Sequence, residues 1–271
     1  MRNQRRSIWI EQLRRKVLPM VPRRTLETIK RWKHQSGLFH PMGCTLVERP
    51  AGERVLVLAA HPDDEVIGCG GTLRKHVLAG ESVACVYLTD GAGTCGAPHL
   101  PEEEKRALIE NQARKAGAII GLKRQLFCRQ RLLSTAGILD QVIQVCQEER
   151  PEVLYLPFVT DSHVEHIEVN RLLLRLLEST EGLGRMTCVG YEVWSPLSPN
   201  CSVDISGTLA VKQQAIAAYR VAGEAVDYVH ACTGLAAYRA LLNLSGRGYA
   251  EAFFVAPAAQ YAAFVRSVLA G

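Results

Sequence analysis

The stretch Val55–Glu65 reads VLVLAAHPDDE and decides the fold. Its first six residues are a continuous apolar run of strand length, which is typical of a parallel strand buried on both faces. Pro62 cannot extend that strand, because it lacks an N–H and has a fixed φ, so the chain must turn there. The turn carries His61 and three consecutive acids. Ligands bind just outside the carboxyl ends of parallel strands, so this stretch predicts a functional site at the edge of a sheet.

A second apolar run also ends beside histidines. Val153–Pro157 reads VLYLP, and the loop after it contains His163 and His166. These two residues are three apart at a predicted helix start, so they share a face. Two parallel strands that end at one crevice would bring His61, Asp64 and a histidine of the second loop together. Carboxylates crowded beside imidazoles favour a divalent metal, and two histidines with one carboxylate are a known catalytic zinc set.

The remaining acid of the first loop predicts the chemistry. A zinc set of this kind leaves one position for water, and zinc lowers the pKa of that water towards about 7. Asp63 is not needed as a ligand, so it is well placed to accept the proton of the water.

Strand and helix patterns alternate with short links from Gly43 onward. This alternation predicts an α/β fold with a doubly wound, mostly parallel sheet flanked by helices. Gly70-Gly71 are expected to permit the close approach of the first helix to the sheet. A chain of 271 residues suits one large α/β domain with an appendage. We assign residues 46–271 to the α/β domain and residues 1–45 to an N-terminal arm.

The arm is strongly basic. Residues 1–40 hold eleven Arg and Lys residues against two Glu, a net charge of +9, so the rest of the chain carries −4 of the total of +5. Trp9, Leu13, Val17 and Met20 recur at helical spacing, which predicts an amphipathic helix. The arm therefore has three interpretations: packing on its own domain, contact with an anionic membrane surface, or contact with an acidic partner. A transit peptide is a fourth.

Composition sets the expected compartment. The nine cysteines are scattered and never in CxxC spacing, which favours reduced thiols in the cytosol. No apolar run approaches the roughly 18 residues of a membrane span. We expect a cytoplasmic protein with peripheral membrane contact through the arm as an alternative, and no nucleic-acid partner. The oligomeric state is left open.

Together these motifs resemble the LmbE/PIG-L family of zinc-dependent N-acetylglucosaminyl deacetylases. The resemblance covers about residues 53–255 and rests on the HPDDE turn, the Gly-Gly helix start, the later His-x-x-His and three further segments: Thr89-Asp90-Gly91, Tyr191–Leu197 (YEVWSPL) and Val203-Asp204-Ile205. It implies an LmbE-like, Rossmann-like fold. It also implies an enzyme that removes the acetyl group from an N-acetylglucosamine-containing glycoside or glycolipid, releasing acetate and the free amino sugar.

The resemblance also implies a metal set and its cofactor. It makes His61, Asp64 and His166 the metal ligands, with Zn²⁺ as the cofactor and Fe²⁺ as the alternative in the cell. Glu165 stands where the family usually has Asp, a carboxylate that orients a neighbouring imidazole.

The acid–base residues follow from the same resemblance. It makes Asp63 the general base. His163 matches the histidine that steadies the developing oxyanion and protonates the leaving amine.

The sequence departs from the family where substrate is held. Ile109 and Gln112 occupy positions at which relatives carry an Arg and a Glu. Arg106, one turn earlier on the same face, is a candidate substitute, and Trp194 is a candidate to stack on a sugar ring. Two alternatives therefore remain. One is an amidase of the same family that cleaves a thiol-sugar conjugate or a longer N-acyl group, and the other is a non-catalytic sugar-binding relative.

Overall fold

A computed structural model of the chain describes residues 43–131, 135–180 and 182–270. Residues 1–42 of the predicted arm lie outside this part, so the interpretations of the arm and the domain boundary at residue 45 stay predictions. No helix within the described residues is long and apolar enough to cross a membrane.

The described residues form one eight-stranded sheet with the strand order β1-β7-β8-β6-β5-β2-β3-β4. All neighbouring strands are parallel except at β8, which is antiparallel to both β6 and β7. The strands are β1 Thr45–Val47, β2 Arg54–Ala59, β3 Ser82–Thr89, β4 Arg124–Gln130, β5 Val153–Pro157, β6 Thr187–Tyr191, β7 Cys201–Asp204 and β8 Ala250–Pro257.

Helices cover both faces of the sheet. On one face, five of them contribute to the apolar cluster that contains Val55 and alternate residues of β2, while the other three contribute to the cluster that contains Leu56. This is the doubly wound architecture predicted from the sequence. The helices are α1 Asp64–Leu78, α2 Glu102–Ile120, α3 Thr135–Glu149, α4 Val164–Ser179, α5 Leu209–Ala218, α6 Arg220–Gly223, α7 Tyr228–Arg239 and α8 Ala258–Leu269, with a 3₁₀ turn at Leu183–Arg185.

The strand order fixes the position of the site. β2 pairs in parallel with β3 on one side and with β5 on the other, so the winding direction reverses at β2. The register aligns Val55 with Val153 and Val57 with Tyr155. Both strands therefore end at the same edge of the sheet, and the loops after them face one crevice. This convergence was the central structural prediction, and it is confirmed.

Three details differ from the sequence prediction. β1 and β7 were not predicted, because runs of three and four residues carry too little pattern to stand out. The pattern from Gly68 to Ala79 predicts the first helix, whereas α1 begins at Asp64, so two of the three acids of the turn are its first residues. The sequence from Thr208 to Arg220 predicts one helix, but the observed helix ends at Ala218, because the φ and ψ of Tyr219, −82° and 72°, are not helical.

A buried ion pair holds α1 in place. The Glu251 carboxylate accepts hydrogen bonds from the backbone N–H groups of Gly71 and Thr72, in the middle of the helix. Lys212 donates to that carboxylate and to the carbonyl of Ile67. Such a pair is tolerated in the interior because its members satisfy one another and the backbone groups around them. It anchors the helix that carries Asp64 to α5 and β8.

Glycines on α1 allow the helix to lie close to the sheet, although not at the predicted pair alone. A Cβ at Gly68 would overlap the Tyr191 ring and lie 2.9 Å from the carbonyl oxygen of Glu192. A Cβ at Gly71 would lie 2.8 Å from Ile205, whereas one at Gly70 would meet nothing closer than 3.4 Å. The close approach therefore depends on Gly68 and Gly71, and Gly70 is not required for it.

We predict that Gly68→Ala destabilises the protein by about 1–3 kcal/mol, because the added methyl group overpacks the contact with Tyr191. Gly70→Ala is the matched control on the same helix, and it should be neutral or slightly stabilising, since alanine is the better helix former. Urea unfolding of both variants measures the difference. Equal stability of the two variants would contradict this account.

Candidate metal centre and active site

The first loop of the site is a tight turn between β2 and α1. The Asp64 carboxylate accepts a hydrogen bond of 2.8 Å from the backbone N–H of His61, which closes the turn. Asp63 has a φ of 128°, a region that residues with a side chain rarely adopt. Backbone strain of this kind costs of order 1–3 kcal/mol and clusters at active sites. The turn thus presents His61, Asp63 and Asp64 in a conformation that the surrounding structure must hold.

The second loop brings two more histidines to the same point. His163 is the N-cap residue of α4, and His166 lies in the first turn of that helix. One ring nitrogen from each of His61, His163 and His166 lies within 4.8 Å of the other two. Three imidazoles from two loops, about 100 residues apart in the chain, therefore share one small volume that could hold a metal ion.

Asp64 lies between two of these histidines. One of its oxygens is 3.4 Å from Nδ1 of His61, and the other is 3.3 Å from Nε2 of His166. Two donors that each sit about 2.0–2.1 Å from a tetrahedral zinc ion are about 3.3–3.4 Å apart, so the spacing fits a shared cation. Both ring nitrogens of the fully buried His166 lack a well-aligned hydrogen bond, although carboxylate oxygens are close. Buried ring nitrogens that have no hydrogen-bond partner are suited to metal binding.

Two carboxylates flank the histidines from outside. Glu165 lies 2.6 Å from Nε2 of His61, the ring nitrogen that faces away from Asp64. Asp161 lies 3.0 Å from Nδ1 of His166. Carboxylates in this position fix the tautomer and orientation of metal-ligating imidazoles. The sequence analysis named Glu165 for such a role, whereas Asp161 was missed; the available signal was its place in the loop after β5.

Electrostatics within the group favour positive charge. Burial alone would lower the pKa of His61, but Asp64 and Glu165 outweigh burial and raise that pKa to about 10. Burial likewise opposes protonation of His166, but Asp64 and Asp161 raise its pKa to about 9. Burial would raise the pKa of Asp64, yet the two imidazoles lower it well below the usual value. The site therefore stabilises cationic charge at its centre.

His163 differs from the other two histidines. Its Nδ1 accepts a hydrogen bond of 3.3 Å from the backbone N–H of Glu165. In the neutral ring this acceptor role assigns the proton to Nε2, which makes His163 a hydrogen-bond donor. Burial lowers the pKa of His163, and the nearby imidazoles of His61 and His166 lower it further.

Glu65 stabilises the strained turn through hydrogen bonds. One of its oxygens accepts a hydrogen bond of 3.1 Å from the backbone N–H of Asp63. The other accepts hydrogen bonds from the hydroxyl groups of Tyr87 and Tyr219, at 3.0 and 2.6 Å. Burial raises the pKa of Glu65 to about 7. Sequence reasoning missed this buried network, because nothing in the spacing of Glu65, Tyr87 and Tyr219 shows that they meet.

A cavity of about 340 Å³ opens beside these residues. The ionisable acids, arginine and histidines of its lining are His61, Asp63, Asp64, Asp90, Arg131, His163 and Glu165. Ile109 and Trp194 are part of the apolar lining, so the position where relatives carry an arginine is here an apolar wall. Such a cavity, with a few polar groups at one end of an apolar lining, is typical of a small-molecule site.

The candidate substrate residues are placed differently from one another. Asp90 lines the cavity, whereas Arg106 is not part of the lining. Nε of Arg106 donates a hydrogen bond of 3.0 Å to Asp90, so Arg106 is the ion-pair partner of that residue. Trp194 lines the cavity with 49% of its surface exposed, as a rim residue would. Arg131, which the sequence analysis did not name, also lines the cavity and pairs with Glu102 at 2.6 Å.

The fold and the crevice define a class: a doubly wound α/β protein with histidines and carboxylates gathered at the topological switch point. Residues 56–177 match the family model described as PIG-L, GlcNAc-PI de-N-acetylase. The matched segment contains both loops. Over these residues the chain therefore carries a segment that matches the PIG-L/LmbE family.

Similar proteins agree with this assignment. The chain is 27% identical over 182 residues to diacetylchitobiose deacetylase of Thermococcus kodakarensis, covering 60% of this chain and 68% of the relative. The solved N,N'-diacetylchitobiose deacetylase of Pyrococcus horikoshii shares the fold, with a TM-score of 0.65, 22% identity and coverage of 77% of this chain and 85% of that one. The fold is also shared by 4-carboxy-2-hydroxymuconate hydratase of Pseudomonas putida KT2440, with a TM-score of 0.66, 19% identity and coverage of 74% and 95%. Because that protein is named as a hydratase, the fold alone does not define the reaction.

We predict that Asp161→Asn lowers the affinity for zinc about 10–100-fold, because the amide no longer orients His166 as a carboxylate does. Competition with a chromogenic chelator measures the dissociation constant. Asp140→Asn, an exposed change on α3, is the control and should leave the affinity unchanged. Wild-type affinity in Asp161→Asn would show that this carboxylate does not act on the metal centre.

Proposed function

We propose that the protein is a metal-dependent deacetylase that hydrolyses the acetamide of an N-acetylglucosamine-containing substrate. The observation that carries the proposal is the placement of Asp64 between His61 and His166, with Asp63 in the same cavity. The family match and the deacetylase relative support the substrate class. The hydrolysis releases acetate and the free amino sugar.

We assign the metal to His61, Asp64 and His166. Asp64 is within 3.4 Å of both rings, whereas Nδ1 of His163 is engaged by the backbone. Zn²⁺ is the ion that two imidazoles and a carboxylate suit best, with Fe²⁺ as the alternative in the cell. When bound, the ion supplies a Lewis acid that polarises the amide carbonyl and increases the acidity of water.

Asp63 acts as the general base. Its carboxylate lines the cavity beside the metal ligands, and its turn is held by Asp64 and Glu65. A base on a fixed turn is positioned for proton transfer before substrate arrives. It accepts one proton from the attacking water as the oxygen of that water bonds to the carbonyl carbon.

His163 stabilises the developing oxyanion. Because its Nδ1 accepts a backbone hydrogen bond, its Nε2–H is the group available to donate. Donors that are already oriented towards developing charge contribute about 10²–10³ in rate. The C–N bond then breaks, and the amine leaves with the proton that Asp63 accepted. The other product is acetic acid, which gives up the second proton of the water to solvent and becomes acetate.

Two alternative functions would use the same site. An amidase for a thiol-sugar conjugate or a longer N-acyl group would use the same residues, and it differs only in what the cavity accepts. A non-catalytic sugar-binding relative would not require Asp63 on a strained backbone. The strain at that position favours catalysis over binding alone.

We predict that three substitutions separate the roles in an acetate-release assay on methyl N-acetylglucosaminide. His166→Ala should lose both bound metal and activity. Asp63→Asn and His163→Gln should keep metal, measured by mass spectrometry, yet lose about 10²–10⁴ in kcat, because proton transfer or oxyanion stabilisation is removed.

Chelator should abolish activity of the wild type, and added Zn²⁺ or Fe²⁺ should restore it. Loss of metal in His163→Gln, with retention in Asp64→Ala, would instead assign a three-histidine centre. Wild-type turnover in Asp63→Asn would refute the proposed base.

We further propose that residues 1–40 contact anionic membrane surfaces, as their net charge of +9 favours. The chain should then sediment with vesicles that contain phosphatidylserine at low salt, and less at high salt, because surface charge is screened. Neutral vesicles are the control. Equal sedimentation with both kinds of vesicle, or with neither, would contradict membrane contact through charge.

A further inference from the structure

A second cavity of about 250 Å³ adjoins the candidate active site. The two cavities share four lining side chains, Ile67, Val193, Trp194 and Tyr228. A substrate whose reacting group lies beside His61 and Asp63 could therefore extend past these four side chains into the second cavity.

The lining of the second cavity is mostly apolar. Besides the shared wall, it is formed chiefly by Pro196, Val226, Ala231, Cys232, Leu235 and Ala236. Most of these side chains come from α7 and the turn before it. Apolar linings of this kind bind hydrocarbon groups by removing them from water.

The charged residues of the second cavity are already neutralised. Glu192 forms a buried ion pair with Arg239, which also donates to the carbonyl of Leu197. Lys212 pairs with Glu251 at 2.6 Å. A charged ligand would have to disrupt one of these pairs, and breaking a buried pair is strongly unfavourable. The cavity therefore favours an uncharged guest.

Aromatic rings mark the boundary between the cavities. The rings of Trp194 and Tyr228 meet edge to face, with centroids 5.9 Å apart. Trp194 stays half exposed, although a large apolar ring at a rim loses favourable burial. Asp161 fixes its backbone by accepting a hydrogen bond of 2.9 Å from the Trp194 N–H. A chain that crosses the rim would cover this exposed ring.

We propose that the second cavity binds a hydrocarbon chain of the substrate while the N-acylated sugar occupies the first. The proposal rests on the deacetylase function above and narrows its substrate class to amino sugars with an alkyl or aryl group. That group is either the aglycone or an N-acyl chain longer than acetyl, and the chemistry of the contact is the same for both.

Two substrate series test the proposal on the full-length, metal-loaded protein. One series is the alkyl N-acetylglucosaminides from methyl to octyl, and the other is methyl glucosaminide with N-acyl chains from acetyl to octanoyl. In one of the two series kcat/KM should rise with chain length, by up to about fourfold per buried methylene. The series that rises identifies the source of the chain, and a flat or falling profile in both would overturn the proposal.

A pair of α7 variants places the effect in the second cavity. Ala231 is exposed and lines the cavity, so Ala231→Trp should fill it and reduce the octyl-to-methyl ratio of kcat/KM towards one. Ala237→Trp adds the same side chain at another exposed position of the helix, outside the lining, and should keep the wild-type ratio. An unchanged ratio in Ala231→Trp would show that the chain binds elsewhere.

Calorimetric binding separates failure of this proposal from failure of the proposed function. Octyl N-acetylglucosaminide and methyl glucosaminide N-acylated with octanoate are each titrated into wild type and both variants. If no acetamide is cleaved, the deacetylase assignment fails, yet tighter binding of an octyl compound that Ala231→Trp abolishes would still support the cavity assignment. Octyl compounds that bind no more tightly than their short-chain counterparts would refute it.

Discussion

The arrangement of the site depends on one carboxylate, that of Asp64, which lies close to two imidazole rings. Asp64 faces His61 with one oxygen and His166 with the other, so it joins the loop after β2 to the loop after β5. Without a compensating cation, a buried carboxylate and its crowded acidic neighbours would be costly, since burial and mutual repulsion both oppose ionisation. The parallel pairing of β2 with β5 supplies the geometry, and the charge balance supplies the reason for a metal at this point. The strained Asp63 and the outer carboxylates Glu165 and Asp161 follow from that centre.

Much of the fold could be predicted from the sequence because long buried elements leave a clear pattern. β5 was predicted at its observed bounds, and the helical period of residues 102–120, which opens with three Glu residues, likewise predicts a helix with the bounds of α2. β1 and β7 were not, because a short strand at the margin of a sheet is defined by its partner rather than by its own residues. The first loop of the site was readable for a similar reason: its unusual residues are adjacent in the chain.

The rest of the site could not be read in the same way, because its contacts join distant positions. Tyr219 reaches Glu65 across 154 residues, and Ile109 forms a small apolar cluster with Ala97 and Val221. Gln112 accepts a hydrogen bond from the Val221 N–H. The two positions that depart from the family pattern thus pack the loop before α2 against α6. The sequence showed that the Arg and Glu of the family are absent at positions 109 and 112, whereas only the structure shows the packing contacts that Ile109 and Gln112 make instead.

Asp161 has a consequence beyond orienting a ring. Its carboxylate contacts the ring of His166 and also accepts hydrogen bonds from the backbone N–H groups of Trp194 and Ser195 at the cavity rim. One acid therefore contacts both the proposed ion site and the rim, which gives a direct route for thermodynamic linkage between them. Linkage is reciprocal: if filling the rim tightens the hold on the ion by some factor, the ion must favour occupancy of the rim by that same factor. If the two are coupled, retention of the cofactor would depend on substrate supply as well as on metal supply.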